Sequence, residues 1–208
     1  MKIVIVDYDG GNVESVANAL SLVKGDSEVL ISNKISDLKS ASHLILPGVG
    51  AFGDCMNGLK ANEGFLSELR NQVLKEKKPF LGICVGMQVL ANSGNENGEH
   101  PGLGFVNGCV EKISGVNLKI PHMGWNDIAI KPGKHAVLKD IKTGEHFYFA
   151  NSFHFICRNE NNVLAQVEYG SKLTAIIAKD NIFGVQFHPE KSGEAGLKLL
   201  ANFLKWRP

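Results

Sequence analysis

This sequence predicts an α/β fold in a single domain, with a mostly parallel central sheet flanked by helices. Two observations carry that expectation. In the first half, short β-branched runs alternate with amphipathic stretches at the pitch of strand–helix–strand units, which predicts a parallel sheet covered on both faces. The second half changes texture to short strands separated by Gly-, Asn- and Lys-rich turns, which predict antiparallel additions to the same sheet and a small second sheet. A chain of 208 residues fits one domain of ordinary size with a substantial core, taken here as residues 1–208.

Along the first half, Lys2–Asp7 reads as a buried strand and Tyr8-Asp9-Gly10-Gly11-Asn12 as a turn. Val13–Val23 has Val13, Val16, Ala17, Leu20 and Val23 at helical spacing. Glu28–Ile31 and His43–Leu46 are the next strands, the latter ending in Pro47-Gly48-Val49-Gly50. Phe65–Lys77 is an amphipathic helix, and Phe80–Ile83 is the strand that follows.

The second half reads as strands at Phe105–Ile113, Leu118–Pro121, Asn126–Ile130, His146–Ala150, Leu164–Gln166, Leu173–Ala178 and Ile182–Gln186. Ser192–Trp206 closes as a helix with Leu197, Leu200, Ala201 and Leu204 inward. The most polar stretch, Asn92–Gly104, reads as a mobile loop.

Bulk composition narrows the function classes. Lys+Arg 22 against Asp+Glu 21 leaves a net charge of +1, so no polyanion partner is implied. No apolar run approaches the ~20 residues that span a bilayer, and no charged, cleavable leader precedes the first strand. Cys55, Cys84, Cys109 and Cys157 lie far apart without a Cys-x-x-Cys pair, which argues against a zinc ribbon or disulfide scaffold and suits a reducing cytoplasm. No histidine pair has metal-ligand spacing on one helix or in a short knuckle, so no metal is expected, and Gly10-Gly11 lacks the Gly-x-Gly-x-x-Gly spacing of a phosphate loop; no cofactor is expected either.

Chemistry concentrates in Gly82-Ile83-Cys84-Val85-Gly86, between the apolar run Pro79-Phe80-Leu81 and Met87-Gln88-Val89-Leu90-Ala91. A strand, a tight turn with a nucleophile at its tip and a helix make a nucleophile elbow, here with Cys in place of Ser. Side chains at Gly82 or Gly86 would crowd a turn that holds Cys84 in strained backbone conformation. The helix N-terminus favours thiolate and aims backbone N–H groups, Val85 among them, at whatever the sulfur attacks. A nucleophilic Cys needs a base, and the base needs an orienting acceptor. His188 follows a strand and is kept extended by Pro189, so Glu190, two residues on, is placed to accept its imidazole N–H.

Three stretches together resemble the triad-type, class I glutamine amidotransferases: Pro47-Gly48-Val49-Gly50, Gly82 to Gln88, and Gln186-Phe187-His188-Pro189-Glu190-Lys191-Ser192. Two more, Pro121-His122-Met123-Gly124-Trp125-Asn126 and Phe147 to Phe153, resemble the glutaminase subunits of imidazole glycerol phosphate synthase. The resemblance covers essentially the whole chain and implies a flavodoxin-like sheet. It implies that Cys84 attacks the glutamine side-chain amide, that His188 moves the protons and that Glu190 orients it. It further implies an oxyanion site at Val85 and Val49-Gly50, and substrate contacts from Gln88, Glu96, Ser152 and Phe153.

The partner implied is a synthase (β/α)8 barrel in a heterodimer, docking on Pro121, His122, Met123, Gly124, Trp125, Asn126 and Lys191. Asn151 stands where the resembled subunits have His, and Phe153-His154 replace a pair of tyrosines. That keeps open a paralogue feeding ammonia to sugar amidotransferases of bacterial surface polysaccharides, whose wording Lys179 to Gly184 also resembles. A cysteine peptidase or general hydrolase would share the elbow but would not need Pro47 to Gly50, Gln88 and the Trp125 stretch together. A catalytically silent regulatory subunit would bind the barrel without needing Cys84, His188 and Glu190.

Overall fold

The structure, a computed structural model, describes residues 1–133 and 135–208. Five strands build the parallel heart of the large sheet: β1 (Lys2–Val6), β2 (Glu28–Ser32), β3 (His43–Gly48), β4 (Phe80–Cys84) and β13 (Ile182–Val185). Their order is β2-β1-β3-β4-β13, and every neighbouring pair is parallel. All residues of β3 and β4 are buried, as strands covered on both faces must be.

Beyond β13 the sheet continues antiparallel through β12 (Lys172–Lys179), β11 (Val163–Glu168), β8 (His122–Ile130) and β9 (His146–Asn151). A second sheet orders β10 (Phe153–Cys157), β7 (Gly108–Lys112), β5 (Ser93–Gly94) and β6 (His100–Pro101). Helix α1 (Val13–Ser21) packs with α6 (Gly193–Lys205), while α2 (Ile35–Ser40) and α3 (Phe52–Ala61) pack with α4 (Phe65–Arg70). A four-residue helix, α5 (Val85–Gln88), follows β4 directly. No helix among the described residues is long and apolar enough to cross a membrane.

Several elements differ from the sequence reading. Asn92–Gly104 is only in part a loop: Ser93–Gly94 pairs parallel with β7 and antiparallel with β6, so the polar residues between them cap a small hairpin. Leu118–Pro121 is not a strand, because the Lys119 carbonyl accepts from the Tyr169 hydroxyl instead of a neighbouring strand. Helices α2 and α3 and strand β10 went unread. In α3, Gly53, Asp54, Asn57 and Gly58 carry the local signature of a turn, yet Phe52, Cys55, Met56 and Leu59 bury one helical face. The Phe65–Lys77 helix changes to a π-turn at Asn71–Lys75. In α6 the buried face carries Leu199 and Phe203 beside Leu200 and Leu204, with Leu197 and Ala201 only half-buried.

His43, at the start of β3, ties the C-terminus to the sheet. It is fully buried, and Arg207 donates to its Nε2 at 2.8 Å while its Nδ1 lies 3.1 Å from Ser42 Oγ. Burial, and then the Arg207 charge, push its pKa down to about 4. The folded value lies below the unfolded one of 6.5, so this contribution is intact above pH 6.5 and lost as pH falls towards 4. Full loss amounts to about 3 kcal/mol. Urea unfolding at pH 7 and pH 4.5 is expected to show a smaller acid destabilisation in His43→Asn than in the unaltered chain. Equal destabilisation would remove His43 from the account.

Candidate active site

The sheet brings the predicted residues together at the carboxyl ends of three adjacent parallel strands, where ligands of such sheets bind. β3 pairs with β4 so that Gly48 lies opposite Cys84, and β13 pairs with β4 so that Val185 lies opposite Ile83. The end of β3 with Val49-Gly50 therefore flanks Cys84 on one side and the Gln186–Glu190 segment on the other.

Cys84 is buried and has φ 54° and ψ −112°, a conformation L-residues rarely adopt and one that stores strain at the elbow. Glycines make the turn possible by close approach. A Cβ on Gly86 would sit 1.9 Å from the Leu46 carbonyl oxygen, one on Gly48 2.5 Å from the Gly86 nitrogen, and one on Gly82 2.5 Å from the Gly86 oxygen. Helix α5 thus rests directly on the backbones of β3 and β4. The N–H of Val85, first in α5, has no intrahelical acceptor, and Val85 lines the same cavity as Cys84.

His188 is extended (φ −98°, ψ 95°) and its backbone is held at both ends. Its N–H donates to the Tyr148 carbonyl at 2.8 Å, and Ser192 Oγ donates to its carbonyl at 2.6 Å. Nδ1 lies 2.8 Å from Glu190 Oε1, with both side chains almost wholly buried. Glu190 does not continue the extended segment: it stands in a 3-10 turn, Pro189–Lys191, which folds its carboxylate back to the ring. The Asn12 amide donates to the same Oε1.

With Nδ1–H given to Glu190, Nε2 is left for Cys84. Burial opposes charge on this imidazole, but its hydrogen bonds to Cys84 and Glu190 and their negative charges prevail and raise its pKa to about 10. The site therefore favours a protonated imidazole facing the Cys84 sulfur.

A cavity of ≈ 340 Å³ opens over these groups. Val49, Gly50, Val85, Gln88, Glu96, Ser152 and Phe153 all line it with Cys84 and His188. Gly50 has a positive φ of 86°. Glu96 is carried by the β5–β6 hairpin, and its Oε2 accepts from the Phe52 N–H at 2.8 Å, which fixes the carboxylate at the cavity wall. The Ser152 carbonyl accepts from Ile113 N–H at 2.9 Å, and the Phe153 carbonyl from Gln88 Nε2 at 2.9 Å.

The stretch read as a docking surface divides. Along β8, side chains alternate, so Met123 and Trp125 point outward, 65% and 56% exposed. Trp125 is thus not core packing; it meets the Tyr148 ring edge-on at 6.2 Å, with Lys191 Nζ 6.0 Å from the same ring. Pro121, Met123 and Lys191 also border the cavity mouth. His122 is buried and stacks between Phe149 at 4.7 Å and Tyr169 at 4.0 Å, so it is a packing residue and presents no surface. Asn126 bonds to His122 Nε2 and the Glu168 carbonyl, which supports that packing. Gly124, half-buried at φ 130°, separates the two exposed side chains.

Two residues at the site had no assigned part in the sequence reading. Asn12 was one residue of a turn, and its contact with Glu190 spans 178 positions, which nothing local in the sequence signals. Gln186 was quoted in a motif without a role, although it stands two residues before His188 in an extended run and so shares its side.

Comparison with known proteins gives the family. The family model for glutamine amidotransferase class-I matches residues 4–206. A protein of Rhodospirillum rubrum named imidazole glycerol phosphate synthase subunit HisH is 46% identical over 214 residues, spanning all of both chains. One of Cereibacter sphaeroides with the same name is 43% identical over 213 residues, again at full coverage. Among solved structures, PurLQS from Thermotoga maritima superposes with a TM-score of 0.74 at 22% identity, covering 98% of this chain and 97% of that one, a likeness of fold. With an elbow cysteine, a carboxylate-oriented histidine and a family match running from β1 into the residues after α6, this chain belongs to the class I glutamine amidotransferases.

Proposed function

We propose that this chain is the glutaminase subunit of an imidazole glycerol phosphate synthase, working in the cytoplasm, with residues 1–208 as one glutamine amidotransferase domain. The observation that carries the reading is the Cys84–His188–Glu190 array on a cavity with Glu96 and Gln88 at its walls. The Cys84 thiolate attacks the side-chain amide carbon of glutamine, and negative charge gathers on the amide oxygen. Val85 N–H and a backbone N–H of the Val49-Gly50 segment receive that oxyanion. Losing one such donor typically costs ~10²–10³ in rate.

His188, protonated in the resting pair, gives its proton to the departing nitrogen as the C–N bond breaks, so ammonia leaves and a glutamyl thioester remains. Neutral His188 then takes a proton from water, whose oxygen attacks the thioester carbon. Glutamate leaves, and thiolate and imidazolium are restored. Glu190 keeps the ring's tautomer throughout. The Glu96 carboxylate receives the substrate's α-ammonium group, and Ser152 and Phe153 border its backbone end.

Ammonia passes to a (β/α)8 barrel synthase that docks as a heterodimer on the face of Met123, Trp125, Pro121 and Lys191. An exposed Trp beside an exposed Met is the composition of an interface anchor. Ammonia release from glutamine, measured for the chain alone and then with a histidine-pathway barrel subunit and its ribotide ligand, tests the assignment. Strong stimulation is the expected result. Basal activity that this barrel does not raise would overturn it and favour the surface-polysaccharide paralogue to which Asn151 and His154 also point.

A further inference from the structure

Gln186 is the first residue beyond β13, and the pairing of Val185 with Ile83 sets it level with Cys84 on the adjoining strand. Alternation along the chain places its side chain with that of His188, towards the sulfur. It is 1% exposed, and its Nε2 lies 3.7 Å from Cys84 Sγ. The thioester chemistry described above makes no use of it.

The direction of this amide follows from its neighbours. The Phe153 carbonyl can only accept, and it takes hydrogen bonds from Gln88 Nε2 at 2.9 Å and Asn151 Nδ2 at 3.0 Å. Gln88 must therefore turn its NH₂ group inward, and the second N–H of that group meets Gln186 Oε1 at 3.1 Å. With its oxygen occupied, Gln186 has only its own NH₂ to offer the sulfur. Donation runs in one sense, from Gln88 to Gln186 to Cys84, and its polarity is pinned by a backbone carbonyl.

We propose that Gln186 is a further catalytic residue: its Nε2–H donates to the Cys84 sulfur, holding it as a thiolate, while its Oε1 anchors Gln88 at the cavity wall. The proposal rests on the reading of Cys84 as nucleophile. A hydrogen bond to anionic sulfur is stronger than one to the neutral sulfur of a thioester. The donor therefore supports the resting thiolate and again supports it as the leaving group when water attacks. No proton leaves the amide in either step.

The titratable groups around the sulfur are His188 and Tyr8, with Glu96 and Lys191 also bordering the cavity, and none of them is altered in the variants that test the idea. Iodoacetamide alkylation of Cys84, followed by peptide mass against pH, needs no glutamine turnover. In Gln186→Leu the pH of half-maximal alkylation is expected to rise by about one unit. Gln186→Glu, nearly isosteric, is expected to raise it further because a carboxylate then faces the sulfur. It keeps an acceptor for Gln88, so its KM for glutamine changes less than that of Gln186→Leu, while kcat/KM falls roughly 10–100-fold in both.

Unchanged alkylation profiles in folded variants would overturn the proposal. If neither variant folds, the side-chain amide resonances of Gln186 in the unaltered chain decide. They shift on alkylation of Cys84 if the bond exists, and a constant position refutes it. Failure of the glutaminase reading itself would show separately, as an unaltered chain that alkylates at Cys84 yet does not hydrolyse glutamine with its partner.

Discussion

Cys84→Ala is expected to lower glutamine hydrolysis by about 10⁴-fold or more while leaving the fold intact. The sulfur is the only group at the elbow tip that can form the thioester, and water held in its place lacks both nucleophilicity and position. Alanine keeps the Cβ but no side chain to attack with, and little packing is lost because the thiol borders a cavity. The same substitution removes one of the groups that hold the His188 proton, so its imidazole is expected to titrate at lower pH in the variant. Ammonia release with the partner present measures the first effect, and ring-carbon NMR of His188 against pH the second. Retained turnover would mean that another group carries the reaction.

Gly86→Ala is expected to cost about 3 kcal/mol or more of stability, roughly a 6–12 °C fall in melting temperature. The new Cβ would lie 1.9 Å from the Leu46 oxygen, a backbone atom in a wholly buried strand, so no side-chain rotation can relieve the contact. Relief requires α5 to lift from β3, which also separates Val85 N–H from the Val49-Gly50 segment. Activity is therefore expected to fall even in the folded fraction at low temperature. Thermal unfolding with parallel ammonia assays checks both parts. A variant with unchanged stability would contradict the close contact of α5 with β3.

Much of this was legible because local chemistry and global topology point the same way. The elbow announces itself through an apolar strand, two glycines that sterics demand and a helix start. The abrupt Pro47-Gly48-Val49-Gly50 ending of β3 places it beside Cys84 once a parallel sheet is assumed, and the register agrees, Gly48 opposite Cys84. Legibility ends where tertiary contacts override local signals. Helix α3 carries turn residues on both sides, Asp54 and Asn57 exposed and Gly53 buried beside His100, and is helical because its buried face packs. Glu190 reaches His188 by a 3-10 turn, not by the strand alternation expected.

His122 illustrates another limit. The Pro121 to Asn126 stretch has period-two structure in which one side faces Phe149 and Tyr169 and the other presents Met123 and Trp125. Which side is which depends on where β8 sits in the sheet. Asn12 depends on a contact between the two ends of the chain, and only the assembled sheet provides it.

The account's central claim is that Cys84 attacks the side-chain carbonyl of glutamine in this cavity. Incubation of the chain with a diazo-ketone analogue of glutamine, in the presence of its partner, followed by intact and peptide mass, tests it most directly. The expected result is one adduct, on the peptide carrying Cys84, absent from Cys84→Ala and slowed by excess glutamine. No adduct, or an adduct on Cys55, Cys109 or Cys157 alone, would contradict it.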